Sequence, residues 1–349
     1  MRSAVMRNSR FFVEDVTIPT PGPGEVLVKV RACGICGSDL HIFRHFPDLI
    51  DKAEKLGAPV EEMRRGLTEG LVLGHEFVAE VVAFGEGDPG ALKVGDRVCS
   101  MPFVLKATGP ALLGSTPDTP GAYAQYMVLS AALLVKVADG LPDAAAALTE
   151  PLGIAVHAVN KAELKPGDVA VVVGCGPIGL AVTAILKVRG VDVILASDLS
   201  PRRRDLALTQ GATEVIDART GSPFARAAEI APGRRVVVFE NTGAPGLLGR
   251  IVLEVPAGSR VVVTGIAPGD ESFIPMIAIT KELSLQFVIY YTAEEFTEAL
   301  RLLEAGEINW RPMITGTVGL NGVADAFAAL ADPEAHAKIL IDPWSDARV

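Results

Sequence analysis

Cysteine is scarce in this chain of 349 residues: Cys33, Cys36, Cys99 and Cys175 are the only four. They form no repeated framework of the kind that staples secreted domains, so disulfides are not expected and a reducing cytoplasm is the natural setting. Basic residues are outnumbered, 32 against 42 acidic ones, for a formal net charge of −10. A basic stripe for nucleic acid is not expected; the nearest approach, the three arginines at 202–204, reads as a solvated helix start. Residues 1–16 carry charges but no apolar stretch of secretory type. An unbroken membrane-length run is missing as well. Residues 169–186 are uncharged, which reaches the length of a spanning helix, but Gly174, Gly176 and Pro177 interrupt them. A buried strand, a tight turn and a buried helix explain that run better, so no membrane partner is expected. There is no internal repeat and no low-complexity tract.

What is present suggests two domains, since one ordinary core does not accommodate this length. Hydrophobic residues make up 49% and charged residues 21%, which is globular rather than disordered composition. Residues 1–40, 77–85, 95–101 and 121–129 read as short strands between proline and glycine turns, a mainly β half. Residues 46–70 are polar and helical in pieces, a surface excursion or a lid. From about residue 142 the texture changes. Apolar runs at 168–174, 192–198, 214–218, 235–243 and 259–265 alternate with helical segments, which predicts a parallel sheet with crossover helices. The fold class is α/β.

The run at 171–182 contains Gly174, Gly176 and Gly179 as G-x-G-x-x-G, with Pro177 and Ile178 opening the helix that follows. A lone match is weak, but here a strand precedes it, an apolar helix follows, and the next strand ends at Asp198. Gly174 allows the tight turn, Gly176 the approach of a pyrophosphate, and Gly179 the packing of helix on strand. The helix N-terminus favours phosphate. Asp198 is placed to accept hydrogen bonds from ribose hydroxyls and to repel a 2′-phosphate, so NAD is favoured over NADP. Capping of the next helix would also explain Asp198, and Arg202, Arg203 and Arg204 keep NADP in play. Asn241 and Thr242, and Val263, Thr264 and Gly265, fall at later strand ends, where such sheets hold cofactors.

A second constellation lies upstream. Cys36 follows Cys33 in a C-x-x-C pair, then come His75-Glu76 and Glu150, in a chain with only five histidines. Cys36, His75 and one acid would make a catalytic zinc site with an open position. Each residue alone has a plainer explanation: a turn for His75-Glu76, a helix start for Glu150.

Taken in order, residues 21–41, 73–85, 94–98, 121–127, 149–159 and 171–180 resemble the zinc-dependent medium-chain dehydrogenase/reductase (alcohol dehydrogenase) family, on its sorbitol and threonine dehydrogenase-like branch. The resemblance covers nearly the whole chain. It implies a GroES-like, mainly β catalytic domain over 1–155 and 291–349, and a doubly wound Rossmann NAD-binding domain over 156–290. It implies Cys36 as zinc thiolate, His75 as imidazole ligand, and Glu76 or Glu150 as the acid at the metal, with Cys33 a bystander. It implies a proton path from Ser38 through a cofactor ribose hydroxyl to His41. Arg203, of the arginine run after Asp198, is counted among the candidate cofactor contacts. Expected cofactors are one catalytic zinc per chain and NAD; the expected partner is an alcohol or carbonyl substrate. A homodimer or homotetramer, paired through the strand near 283–291, is expected.

Two departures from the family pattern matter. Relatives with a second, structural zinc carry four close cysteines where residues 99–126 have Cys99 alone, so no structural zinc is expected. Polyol-oxidising relatives show a tyrosine where Ile42 stands, and an Arg-Tyr pair where Tyr290-Tyr291 stands, which argues for a less hydroxylated alcohol, secondary or weakly polar. The spacer from His41 to His75 is longer than the family pattern, so residues 44–70 are expected to reshape the pocket mouth. His157, in an apolar helical run, reads as a packed histidine. The other readings are a zinc-free quinone or enone reductase, a catalytically silent nucleotide-binding protein, and C-x-x-C redox chemistry. Cys36, His75 and the acids argue against the first, retained metal and relay residues against the second, and the strand-like approach to Cys33 against the third.

Overall fold

The computed structural model describes residues 1–87, 90–267 and 269–348. The chain divides into two compact units, Met1–Glu150 with Ile314–Val349, and Pro151–Met313. The second crossing comes later than residue 291. Residues 291–313 stay with the second unit because helix Ala293–Glu304 packs there. Tyr291 stacks on Phe296 with ring centroids 5.5 Å apart, and Glu295 accepts hydrogen bonds from Asn160 and pairs with His157.

The first unit is built on a seven-stranded sheet whose central strand is Glu25–Gly34. That strand pairs antiparallel with Glu76–Phe84, Tyr126–Ser130 and Lys338–Ile341. Its alternate residues Val26, Val28 and Val30 are fully buried, as β-branched side chains on a packed sheet face should be. Helices Gly37–Lys55 and Glu61–Glu69 fill the 46–70 stretch. They are not a free excursion: Phe46, Ile50 and Val60 belong to the unit's core. The first helix is kinked at His45, ahead of Pro47, which cannot donate to the helical ladder. The 99–126 region carries a hairpin, Phe103–Lys106 with Gly109–Leu112. Buried Val104 and Leu113 hold it, and Leu105 N–H donates to Ser130 Oγ at 2.8 Å.

The second unit is a six-stranded parallel sheet. In spatial order the strands are Glu214–Asp217, Val193–Asp198, Val169–Val173, Val236–Glu240, Arg260–Val263 and Ser284–Phe287. This is the doubly wound nucleotide-binding order, with its switch point between Val169–Val173 and Val236–Glu240. Both of those strands are buried at every position, which explains their continuous rather than alternating apolar sequence. No helix among the described residues is long and apolar enough to cross a membrane.

Candidate functional site

In the first unit, strand register creates the cluster. Gly34 lies opposite Glu76 and Cys33 opposite Phe77, so the turn after Gly34 brings Cys36 beside His75 and Glu76. A Cβ on Gly34 would collide with the Glu76 carboxylate, so glycine is required there. Cys36 caps helix Gly37–Lys55 at its N-terminus, in a reciprocal capping arrangement with Asp39. Donor atoms of Cys36, His75 and Glu76 all lie within 4.8 Å of one another.

The surroundings of these three are charged; Glu76 is fully buried, while Cys36 and His75 keep partial exposure. Asp39 Oδ1 lies 3.5 Å from His75 Nδ1, and Ser38 Oγ lies 3.4 Å from His75 Nε2. Asp39 Oδ2 accepts the Cys36 N–H at 3.0 Å and the Tyr123 hydroxyl at 2.8 Å. Lys338 Nζ donates to both Glu76 oxygens, at 2.8 and 2.6 Å, and to the Ile35 carbonyl at 3.1 Å. Lys338 and Glu76 are 2% and 1% exposed, so this is an ion pair away from water. Burial opposes charge on His75, yet Asp39 and Cys36 together hold its pKa well above the ordinary imidazole value. Burial likewise opposes ionisation of Asp39, but His75 and the donors from Tyr123 and Cys36 keep its pKa low. On Lys338, burial is outweighed by Glu76 and then Cys36, and the ammonium is retained.

The donors of the cluster are one sulfur, one imidazole nitrogen and one carboxylate oxygen. That is a zinc-type set. Asp39 on the far ring nitrogen is the usual outer partner of a metal-ligating histidine. The residues present therefore fit a catalytic zinc. Glu150, buried at the start of helix Thr149–Lys161, is not among the three converging donors; its charge is felt at Lys338. Cys33 is fully buried. Burial, Asp39 and Glu76 push its thiol pKa well up, which removes it as a redox nucleophile. His41, half-buried on the same helix as Ser38, has its pKa lowered by burial, His45 and Arg44.

In the second unit the turn after Val169–Val173 is shaped by its glycines. Gly174 has φ +89, and a Cβ there would overlap Thr242; a Cβ on Gly179 would run into the Gly174 carbonyl. Gly176 caps helix Pro177–Val188, and nothing lies within 4 Å of where its Cβ would be. Asp198 accepts Cys175 N–H at 2.7 Å and Ser200 N–H at 2.8 Å. Arg203 Nε is buried without a hydrogen-bond partner among the described residues. An open cradle at a helix N-terminus, with an orphaned cationic donor in the same unit, fits a dinucleotide phosphate and ribose. Asn241, Thr242, Thr264 and Gly265 form one knot around Glu240. Glu240 Oε1 accepts Thr242 N–H and Gly243 N–H, its carbonyl accepts Gly265 N–H, and Thr264 Oγ1 donates to Asn241 Oδ1 at 2.8 Å. Val263 ends its strand, buried, and Ile178 lies in the first turn of the helix that Pro177 opens.

Other predicted positions resolve differently. Ile42 is partly buried against the first unit's core. Tyr291 is buried against Gly153 and Phe296, whereas Tyr290 is exposed with φ +60. His157 is not simply packed: its Nδ1 lies 2.7 Å from Glu295 Oε2. Sequence reasoning missed Asp39, Tyr123 and Lys338. Only Asp39 carried a signal, as a carboxylate in the first turn of a helix capped by Cys36.

Two family models match this chain: the alcohol dehydrogenase GroES-like domain over residues 22–139, and the zinc-binding dehydrogenase over residues 177–305. The (R,R)-butanediol dehydrogenase of Bacillus subtilis (strain 168) is 33% identical over 356 residues, covering 98% of this chain and 100% of that protein. The sorbitol dehydrogenase of the same organism is 29% identical, covering 98% and 97%. The crystal structure of 2R,3R-butanediol dehydrogenase from Bacillus subtilis aligns with a TM-score of 0.84 at 32% identity, over 98% of this chain and 99% of that one. A structure described as an Escherichia coli CFT073 short chain alcohol dehydrogenase complexed with NADH aligns with a TM-score of 0.82 at 27% identity, over 98% and 99%.

Proposed function

The chain belongs to the zinc-binding alcohol dehydrogenase family with a GroES-like domain, on its sorbitol dehydrogenase-like branch, and we propose that it interconverts an alcohol and its ketone or aldehyde using NAD. The observation that carries this reading is the convergence of Cys36, His75 and Glu76 within 4.8 Å in a buried, charge-matched setting. Zinc held there would supply Lewis acidity that lowers the alcohol's pKa, and NAD would supply the hydride acceptor. Cys36, His75 and Glu76 are the metal's ligands in this reading. Glu76 shares its charge with Lys338, and Glu150 adds negative field nearby. Ser38, beside His75 Nε2, relays the substrate hydroxyl's proton, accepting it as it gives up its own, and His41 takes the relayed proton on to solvent. Its lowered pKa leaves His41 neutral near pH 7 and able to accept. Gly174, Gly176 and Gly179 admit the pyrophosphate. Asp198 and Arg203 hold the adenosine end, with Asp198 favouring NAD over NADP.

Cys99 is the one cysteine in the 99–126 region, which supports a single catalytic zinc per chain and no structural one. The butanediol dehydrogenase relatives and Ile42 favour a secondary alcohol with few hydroxyls. The sorbitol dehydrogenase relative keeps a polyol as the second reading. Four free thiols suit a reducing cytoplasm. Exposed Phe287, Ile289, Met276 and Ile279 flank the sheet's edge strand, which supports pairing of two copies there as a dimer, or a tetramer built from it. The test is a panel of alcohols and carbonyls, from vicinal diols to hexitols, assayed with NAD and NADP. Turnover of small secondary alcohols or diols with NAD is expected; hexitols as the best substrates would reverse the substrate assignment, and no turnover of any would overturn the activity.

A further inference from the structure

We propose that Tyr123 is a positioning residue of the metal centre, acting through Asp39 on His75; this rests on the zinc reading above and extends it. The two oxygens of Asp39 are used differently. Oδ2 accepts two donors, the Tyr123 hydroxyl at 2.8 Å and the Cys36 N–H at 3.0 Å. Oδ1 is left for His75 Nδ1, at 3.5 Å. A carboxylate turns readily about its last bond, because that torsion is broad and nearly two-fold. Two donors converging on one oxygen fix the rotation and direct the other oxygen at the imidazole. This assigns the proton to Nδ1 and presents Nε2 to the metal. Without the Tyr123 hydroxyl, the one remaining donor on Oδ2 among the described residues is the backbone of Cys36, itself a ligand in that reading.

The location of Tyr123 is equally determined. Its ring lies against Gly74, where φ is +101 and a Cβ would press on the ring. The segment 121–123 is bonded to 72–74 by Gly121 N–H to Val72 O, Ala122 N–H to Gly74 O and Tyr123 N–H to Leu73 O, at 2.7–2.9 Å. The residue that orients Asp39 is therefore anchored on the segment that carries His75. The ring also meets Phe327 edge-on, with centroids 6.2 Å apart. Phenylalanine would satisfy all of these packing contacts. The hydroxyl is the addition: a polar group at 0% exposure, with Asp39 as its partner. Burying it is costly unless that bond is made, so the bond ties the two residues together.

The test is Tyr123→Phe in the full-length protein, read by zinc affinity in chelator competition and by the visible absorption of the cobalt(II)-substituted protein. We expect zinc affinity to fall by about tenfold or more. The cobalt band should shift, while the metal-free protein still folds cooperatively and NAD affinity stays at the wild-type value. In an Asp39→Asn background the same substitution should have a smaller effect on zinc affinity. Wild-type zinc affinity and an unchanged cobalt spectrum would overturn the proposal, as would full effect in the Asp39→Asn background. A metal-free Tyr123→Phe protein that fails to fold would make the hydroxyl a folding element and overturn it too. Failure of wild-type protein to bind zinc would bring down the metal reading itself, an outcome distinct from a wild type that binds zinc and a variant that binds it equally well.

Discussion

The metal cluster and the nucleotide turn solve the problem of holding a ligand in opposite ways. The nucleotide turn is local: Gly174 to Gly179 supply the bend, the open cradle and the helix packing within six consecutive residues, and in the proposed function its backbone N–H groups are what face the pyrophosphate. The metal cluster is assembled from side chains far apart in sequence. Cys36 and Asp39 come from one helix start, His75 and Glu76 from a strand start, Tyr123 from a loop, and Lys338 from the terminal strand. A backbone site tolerates most side-chain changes but no Cβ at two of its three glycines. A side-chain site depends on its buried charges having counter-charges, because burial withholds the screening that water would give.

The largest effect should come from removing a donor. Cys36→Ser or His75→Ala should lower kcat/KM for alcohol oxidation by at least about a thousandfold, as loss of an essential catalytic group does. NAD affinity, measured by fluorescence quenching, should be retained. Surviving turnover would break the side-chain account of the first unit. Next is Lys338→Met, which leaves the Glu76 carboxylate buried and unpaired. It should destabilise the first unit by about 3–5 kcal/mol. The chain has two tryptophans, one in each unit, so urea unfolding of a Trp310→Phe protein reports the first unit through Trp344. Adding Glu76→Gln to Lys338→Met should recover much of the loss.

The nucleotide turn should respond to the size of its glycines alone. Gly179→Ala places a methyl on the Gly174 carbonyl and should destabilise the second unit. Gly176→Ala meets no atom, so its stability should match wild type while NAD binding weakens by roughly tenfold or more. Equal effects from the two would contradict the division between packing glycine and cradle glycine. Asp198→Ala should cost NAD affinity and raise the NADP/NAD activity ratio several-fold; an unchanged ratio would remove its ribose role.

The smallest effect is a pH dependence. The His75 pKa is raised in the metal-free folded state, by Asp39 and Cys36 against burial. Its contribution to stability is therefore complete below the unfolded value of about 6.5 and is lost as pH rises toward the folded value. The metal-free first unit should weaken as pH climbs above that point. Zinc requires neutral imidazole, so its affinity should strengthen over the same range. Metal-free melts that do not change from pH 6 to pH 9 would argue against a protonated His75.

Legibility in the sequence followed the same division. The parallel sheet and its glycine turn could be read because a fully buried strand writes a nearly continuous apolar run and the turn's requirements sit side by side at 174–179. Cys36, His75 and Glu76 could be read as a pattern of residue types. Lys338 could not. A lysine opening a terminal strand looks like a solvated one, and its partner Glu76 lies 262 positions away. Tyr123 looks like one more aromatic in a β segment until its hydroxyl is seen on Asp39. The 46–70 stretch reads as an excursion because Pro47 interrupts its helical pattern, although Phe46 and Ile50, four apart on one face, are both core residues. The later domain crossing was hidden because helix Ala293–Glu304 is bound to the second unit by Glu295, whose partners His157 and Asn160 are more than 130 positions upstream.

The central claim is that the buried cluster of the first unit holds one catalytic metal. Metal analysis of the purified chain tests it most directly. About one zinc per chain, lost in His75→Ala, is the result the account predicts. Two zincs per chain, or one that persists in His75→Ala, would contradict it.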